Sequence, residues 1–310
     1  MDIFYLIIGL LILIVGGEFL VKGSVALAVR MKVSMVVIGL TVVSFATSAP
    51  ELLVSIYAAL NEHPDMALGN VIGSNIANIS LVLGLTALIS PLSFQPRLYR
   101  FDIPVMLFAS VLFGVFLYTG SSLVFWEGAI FVVLVSLLTL YLISRSRREE
   151  KSKEIDDQEK MPLKRLVVYL IIGAVCLYFG SQFLVDGASG LARLMGITER
   201  VIAISIVAFG TSVPELSASI IAALKNEKDL SIGNLIGSNI FNIFAVLGIT
   251  SMIHPVSVID DALLSNDIWW MFGIALVLYP LMFLFKKRQI GRVEGLILCS
   301  VYLTYLILLF

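Results

Sequence analysis

The feature that most constrains this 310-residue chain is that it matches itself at an offset of 164 residues. Gly16 falls on Gly180, Leu20 on Leu184 and Gly23 on Gly187. From Thr47 to Pro91 the register runs without a gap to Thr211–Pro255, with 26 identities in 45 positions. Apolar composition alone does not produce such a match, because the identities include Ser48/Ser212, Glu51/Glu215, Asp65/Asp229, Asn70/Asn234, Ser74/Ser238, Asn75/Asn239 and Asn78/Asn242. The chain is therefore two copies of one unit, and whatever it folds into must accommodate both.

The solvent for those copies is lipid. Hydrophobic residues make up 59% of the chain and charged residues 14%, with a mean hydropathy of +1.01. A water-soluble domain of this size needs more polar surface. A membrane span takes about 20 apolar residues, and ten stretches qualify: 3–28, 35–60, 66–89, 103–119, 124–144, 165–191, 199–224, 230–253, 267–285 and 291–310. The expected fold is an all-α integral membrane protein of ten transmembrane helices. It divides into a first five-span repeat (1–144), a charged linker (145–164) and a second five-span repeat (165–310). Five is odd, so the second copy enters the bilayer from the opposite side. Inverted repeats of this kind are typical of secondary transporters, with the substrate site near mid-bilayer.

Charge sets the orientation. With the flanking Arg165 and Arg292 counted in, the connections after spans one, three, five, seven and nine hold 2, 2, 8, 2 and 4 Lys or Arg, which is 18 of the 21. The positive-inside rule places that side in the cytoplasm, with both termini outside and the 145–164 linker inside. Arg193 and Arg200 fall on the other side, and Lys22 lies within the first span. That first stretch is too long for a signal-peptide core and carries Glu18 and Lys22, so it reads as a retained span. Glu18 stands four residues before Lys22, the favoured helical orientation for an ion pair. Inverted topology keeps Lys22 away from its repeat equivalent, Asp186. Cys176 and Cys299 both lie inside apolar stretches, which gives buried thiols and no disulfide framework. A net charge of −1 points to no nucleic-acid partner.

Ionisable side chains inside the spans are few, and each costs about 2.5–3.5 kcal/mol on insertion scales. Glu51 and Glu215 stand at equivalent positions, in Thr47-Ser48-Ala49-Pro50-Glu51 and Thr211-Ser212-Val213-Pro214-Glu215. A proline within a helix removes a backbone donor and crowds the carbonyl four residues back, here Ala46 and Gly210. Broken backbone at membrane depth is tolerated where it lines a cavity or is otherwise satisfied. Each stretch thus offers a carboxylate, hydroxyls and loosened carbonyls within about one turn, the oxygen ligands a hard cation takes. A proline kink with packing roles for Thr and Ser is the plainer account of one copy, and the duplication of the glutamate weighs against it. A second pair of motifs runs from Gly69 to Asn78 and from Gly233 to Asn242. Small residues four apart allow close helix packing, which accounts for the glycines. It does not account for Ser74 and Asn78, or Ser238 and Asn242, which share a helix face four residues apart and present neutral oxygens. Sulfur and imidazole are absent from these motifs, and His63 and His254 lie in connections.

At these motifs the chain resembles the sodium/calcium exchanger family of calcium/cation antiporters, in its prokaryotic ten-span form. The family signature Gly-Thr-Ser-x-Pro-Glu/Asp is matched in full from Gly210 to Glu215, and the first copy has Ala46 in place of the glycine. The resemblance implies sodium/calcium exchange by alternating access, with three sodium ions competing against one calcium and no cofactor. The implied ligands are Thr47, Ser48, Glu51, Ser74 and Asn78 from the first repeat and Thr211, Ser212, Glu215, Ser238 and Asn242 from the second, with backbone oxygens at Ser44 and Ala208. It further implies spans one and six sliding past the other eight, and residence in a prokaryotic inner membrane. Two related exchangers compete with this reading. A calcium/proton exchanger usually carries an acidic residue in the third and eighth spans, where this chain has asparagines, and a potassium-dependent exchanger has aspartate where Asn242 stands. An intramembrane enzyme is the rival from another class. No His-Glu-x-x-His pair is present, and the spans hold no histidine to activate a serine.

Overall fold

In lipid every backbone N–H and C=O must find its partner within the segment, so apolar runs of this length close on themselves as helices. The computed structural model describes residues 2–150, 161–196, 208–285 and 288–309. Its helices are α1 (Asp2–Met31), α2 (Met35–Thr47), α3 (Ala49–Leu60), α4 (Pro64–Ile89), α5 (Leu98–Gly120), α6 (Phe125–Glu150), α7 (Leu163–Leu194), α8 (Val213–Leu224), α9 (Lys228–Ile253), α10 (Leu263–Leu284) and α11 (Arg292–Leu309). Among the described residues seven are long and apolar enough to cross a membrane, and eight when α2 and α3 are counted as one span interrupted at Ser48. The spans expected at 199–224 and 291–310 contain α8 and α11. Residues 199–207, with Arg200, and 151–160 of the linker lie outside the described residues.

The chain forms two compact units, each drawing on both repeats: Met1–Thr47 with Leu142–Asn234, and Ser48–Tyr141 with Leu235–Phe310. In the first unit, α1 turns Ile3, Phe4, Ile7, Leu10, Leu11 and Ile14 outward and buries Gly9, Gly16, Gly17, Gly23 and Ser24. This is the reverse of a soluble helix, because between helices in lipid close backbone approach replaces the hydrophobic drive. The seam runs along α7. A Cβ built on Gly9 would stand 2.7 Å from the Leu184 nitrogen, and one on Gly173 would stand 2.6 Å from the Leu20 nitrogen. The pairing of 9 with 184 and 20 with 173 makes α1 and α7 antiparallel. They are repeat equivalents, so the inverted relation is visible directly in their packing. Lys22 and Asp186 fall at opposite ends of this pair, as expected, and Lys22 bonds Glu18 at 3.1 Å. Lys225, at the end of α8, reaches the same carboxylate at 3.1 Å.

The second unit repeats the arrangement with α5 and α10. Tyr99 meets Phe283 edge-on at 5.7 Å, while at the other end Tyr118 donates to the Leu264 carbonyl at 2.5 Å. Two short antiparallel pairings tie connections together: β1 (Leu92–Ser93) with β4 (Gln289–Ile290), and β2 (Ser122–Leu123) with β3 (Val256–Ser257). An alternating path puts the first two connections on one side of the bilayer and the second two on the other, so each pairing respects the expected alternation. Cys176 and Cys299 are free thiols, half-buried rather than buried, because each borders a glycine contact on a lipid-facing helix.

Candidate ion-binding site

Pro50 and Pro214 sit in the first turns of α3 and α8, after a break at Ser48 (φ −84°, ψ 3°) and at Ser212 (φ −87°, ψ 0°). The sequence led us to expect prolines kinking continuous helices. Instead each helix ends and a new one begins, and the missing proline N–H falls where a helix has no intrahelical acceptor to lose. The break puts Glu51 and Glu215 in the first turn of their helices, where the exposed peptide dipoles favour negative charge. Both glutamates are fully buried.

In the first unit, the end of α2 packs against α8. α2 crosses α9 with backbone touching backbone: a Cβ on Gly39 would lie 2.5 Å from the Leu230 carbonyl, and one on Gly233 would lie 2.5 Å from the Val36 carbonyl. This approach brings Ser44 Oγ to 2.8 Å from the Gly39 carbonyl and 3.0 Å from the Asn234 carbonyl. Thr47 Oγ1 lies 3.2 Å from Asn234 Oδ1 and 3.4 Å from the Ser44 carbonyl. Asn234 in turn donates to Ser219 Oγ at 3.0 Å. The carbonyl of Gly210, which the sequence marks as loosened by Pro214, accepts from Ser181 Oγ of α7 at 2.5 Å. Ser212 is buried, and its hydroxyl has no hydrogen-bond partner among the described residues. Thr211 is half-buried, and Ala208 opens the short helical turn Ala208–Gly210 that precedes the break.

In the second unit, α3 packs against α4 and against the segment Asn242–Leu247 of α9. Asn70 donates to the Glu51 carbonyl at 3.1 Å and to Ser55 Oγ at 3.0 Å. The α-helical ladder widens to π geometry at Asn78–Val82 and again at Asn242–Leu247, so the wide turn begins at the two equivalent asparagines. Such bulges recur at functional sites because they redirect side chains and carbonyls. Ser48, Ser74, Asn78, Ser238 and Asn242 are all buried. Ser74 Oγ, both polar atoms of Asn78, and Asn242 Oδ1 have no hydrogen-bond partner among the described residues. Buried polar atoms left so cost about 1–3 kcal/mol each, and a cation that takes up the lone pairs of the oxygens among them removes that part of the cost. Every candidate donor is oxygen, and the first unit contains Glu215 and the second Glu51. Among the described residues no cluster of three or more His, Cys, Asp or Glu is gathered to hold a metal.

The motif reading missed three supporting residues: Ser55 and Ser219, which receive the Asn70 and Asn234 amides, and Asn75, which donates to the backbone carbonyl of Asn239. A signal for the serines was present. Each follows its glutamate by four residues and is identical in both repeats. Gly69 and Gly73 have nothing within 4 Å of a built Cβ among the described residues, so the packing account of the motif glycines holds at Gly233 and fails at those two.

The family described as sodium/calcium exchanger protein matches residues 1–144 and 165–310. Sodium/calcium exchanger MaX1 of Methanosarcina acetivorans is 31% identical over 98% of this chain and 97% of its own. Inner membrane protein YrbG of Escherichia coli is 33% identical over 98% of this chain and 95% of its own. Among solved structures, the sodium-calcium exchanger NCX_Mj soaked without sodium or calcium superimposes with a TM-score of 0.83 at 31% identity, covering 99% of this chain and 98% of that one.

Proposed function

This chain belongs to the sodium/calcium exchanger family, and from that premise we propose that it exchanges three sodium ions for one calcium ion by alternating access, electrogenically and without potassium. It is a multi-pass membrane protein and a cation/calcium antiporter rather than an enzyme. The single observation that carries the finer reading is the pair Glu51 and Glu215, fully buried in a membrane protein and standing at equivalent helix starts. They are the charged ligands of the transported ions. Thr47, Ser48, Ser74, Asn78, Thr211, Ser212, Ser238 and Asn242 supply neutral oxygens, with the carbonyls of Ser44 and Ala208.

The charges make the cycle electrogenic. Two carboxylates with one calcium sum to zero, and with three sodium ions they sum to +1. An inside-negative potential then favours sodium entry by about 2.3 kcal/mol per charge per 100 mV. The basic connections orient the protein with its termini outside and its linker in the cytoplasm of a prokaryotic inner membrane.

The test is calcium-45 uptake into proteoliposomes driven by a sodium gradient, repeated with potassium, with a proton gradient and at valinomycin-clamped potentials. Sodium-driven uptake that needs no potassium and responds to potential is the expected result. Uptake driven by protons without sodium assigns the chain to a different exchanger class, and indifference to potential replaces three sodium ions with two.

A further inference from the structure

Asn75 and Asn239 are repeat equivalents, and in the second unit they touch. Asn75 Nδ2 donates to the backbone carbonyl of Asn239 at 3.3 Å. A residue meets its own equivalent only where the pseudo-two-fold axis passes, and on that axis two identical amides cannot both occupy the same place. The symmetry therefore breaks here. Asn239 turns its amide back onto its own helix and donates to the Leu235 carbonyl at 2.8 Å. Asn75 reaches across, and its Oδ1 accepts from Asn242 Nδ2 at 3.1 Å.

The order of these bonds leaves no freedom in the amides. A backbone carbonyl only accepts, so the group Asn75 turns to Asn239 must be its NH2. Its oxygen then faces Asn242, which must answer with its own NH2. Asn242 Oδ1 is thereby aimed away, and it is the atom left buried without a partner. At Asn78 no such chain exists, and both polar atoms of that amide are without a partner among the described residues.

We infer that Asn75 is a positioning residue: it orients the Asn242 amide so that its oxygen, and not its NH2, is presented to the transported cation, and Asn239 does not do the same for Asn78. This rests on the proposed exchange of sodium for calcium, in which Asn242 is a ligand. Without the anchor, the Asn242 amide can rotate and offer an NH2, which a cation does not bind.

The test is equilibrium calcium binding and sodium-driven uptake by purified wild type, Asn75→Leu, Asn239→Leu, Asn242→Asp and the double variant Asn75→Leu/Asn242→Asp. Folding is checked by monodisperse elution and thermal melting, and Asn75→Ala and Asn75→Ser enter the same test if Asn75→Leu does not fold. Asn75→Leu should raise the calcium Kd and KM by about 10- to 100-fold, the usual effect of removing a residue that orients a ligand. Asn239→Leu keeps the carbonyl that Asn75 uses and should stay within about twofold of wild type by the same measure. A carboxylate presents an oxygen whichever way it rotates, so the Asn75→Leu effect should collapse in the Asn242→Asp background. Equal effects at 75 and 239, or an Asn75→Leu penalty undiminished beside Asn242→Asp, overturn the inference and leave Asn75 a packing residue. Wild type that binds no sodium-competable calcium overturns the exchange reading itself, a result separate from any difference among the variants.

Discussion

The Asn234 amide donates to Ser219 Oγ across 3.0 Å, and 164 positions earlier Asn70 donates to Ser55 Oγ across the same 3.0 Å. In each repeat this bond joins the helix that starts with the glutamate to the helix that carries the Gly-Asn motif. It holds the buried carboxylate helix by a polar clasp where lipid-like packing gives little directional force.

Removing that clasp should be costly. Asn234→Leu leaves Thr47 without its Oδ1 acceptor and Ser219 without its donor, both in buried surroundings. Thr47 keeps the Ser44 carbonyl at 3.4 Å, so the stranded group is the Ser219 hydroxyl; at about 1–3 kcal/mol for it, the variant should melt below wild type in detergent and give less folded protein. Asn234→Asp keeps an acceptor for Thr47, and Ser219 can turn its hydroxyl to donate to the new carboxyl group at the cost of one more buried carboxyl, so its melting temperature should fall between the two.

Glu51→Gln and Glu215→Gln preserve size and hydrogen-bonding shape while removing one charge each. Either change should abolish sodium-driven calcium-45 uptake with elution and melting close to wild type. Near-normal uptake by a well-expressed Gln variant would remove these residues from the ion path.

Gly39 and Gly273 separate two roles of glycine. A Cβ at Gly39 would press on the Leu230 carbonyl and the Asn234 nitrogen at 2.5 and 2.9 Å, and neither backbone atom can give way. Gly39→Ala should therefore force α2 from α9, disturb the Ser44 and Thr47 contacts, and lower both melting temperature and transport. Gly273 lies in α10 with nothing within 4 Å of a built Cβ among the described residues. Gly273→Ala should be neutral, or stabilising by up to about 1 kcal/mol through helix propensity. A thermal-melting comparison of the two decides the matter.

Asn242→Asp adds a third carboxyl group to the ligand set and sets an acceptor against Asn75 Oδ1, where the amide had placed a donor. Both conflicts ease when the new carboxyl group holds a proton or recruits another cation. Uptake by this variant across pH 6 to 8, with and without potassium, should show a pH or potassium dependence that wild type lacks. A wild type that already requires potassium would contradict the proposed exchange.

The repeat was legible because its signal lies in polar residues. Glu51 and Glu215, or Asn78 and Asn242, are too expensive in lipid to recur by chance at one offset. The same identities pointed to Ser74 and Ser238 through helical spacing. The break at Ser48 was only half legible. Proline announces that a helix cannot pass unchanged, but whether the chain bends or restarts depends on what satisfies the freed groups. In the second repeat that partner is Ser181, 29 residues before Gly210 on another helix.

The sequence alone determined the membrane-spanning class, the inverted duplication and the oxygen-only chemistry of the candidate motifs, because hydropathy, span parity and residue chemistry are local properties of the chain. Tertiary structure decided which equivalents stay equivalent. Asn75 and Asn239 are indistinguishable in sequence, yet one reaches Asn242 and the other returns to Leu235. Two identical amides that meet on a pseudo-two-fold axis compete for one position, and only the packing of the folded chain determines which amide occupies it.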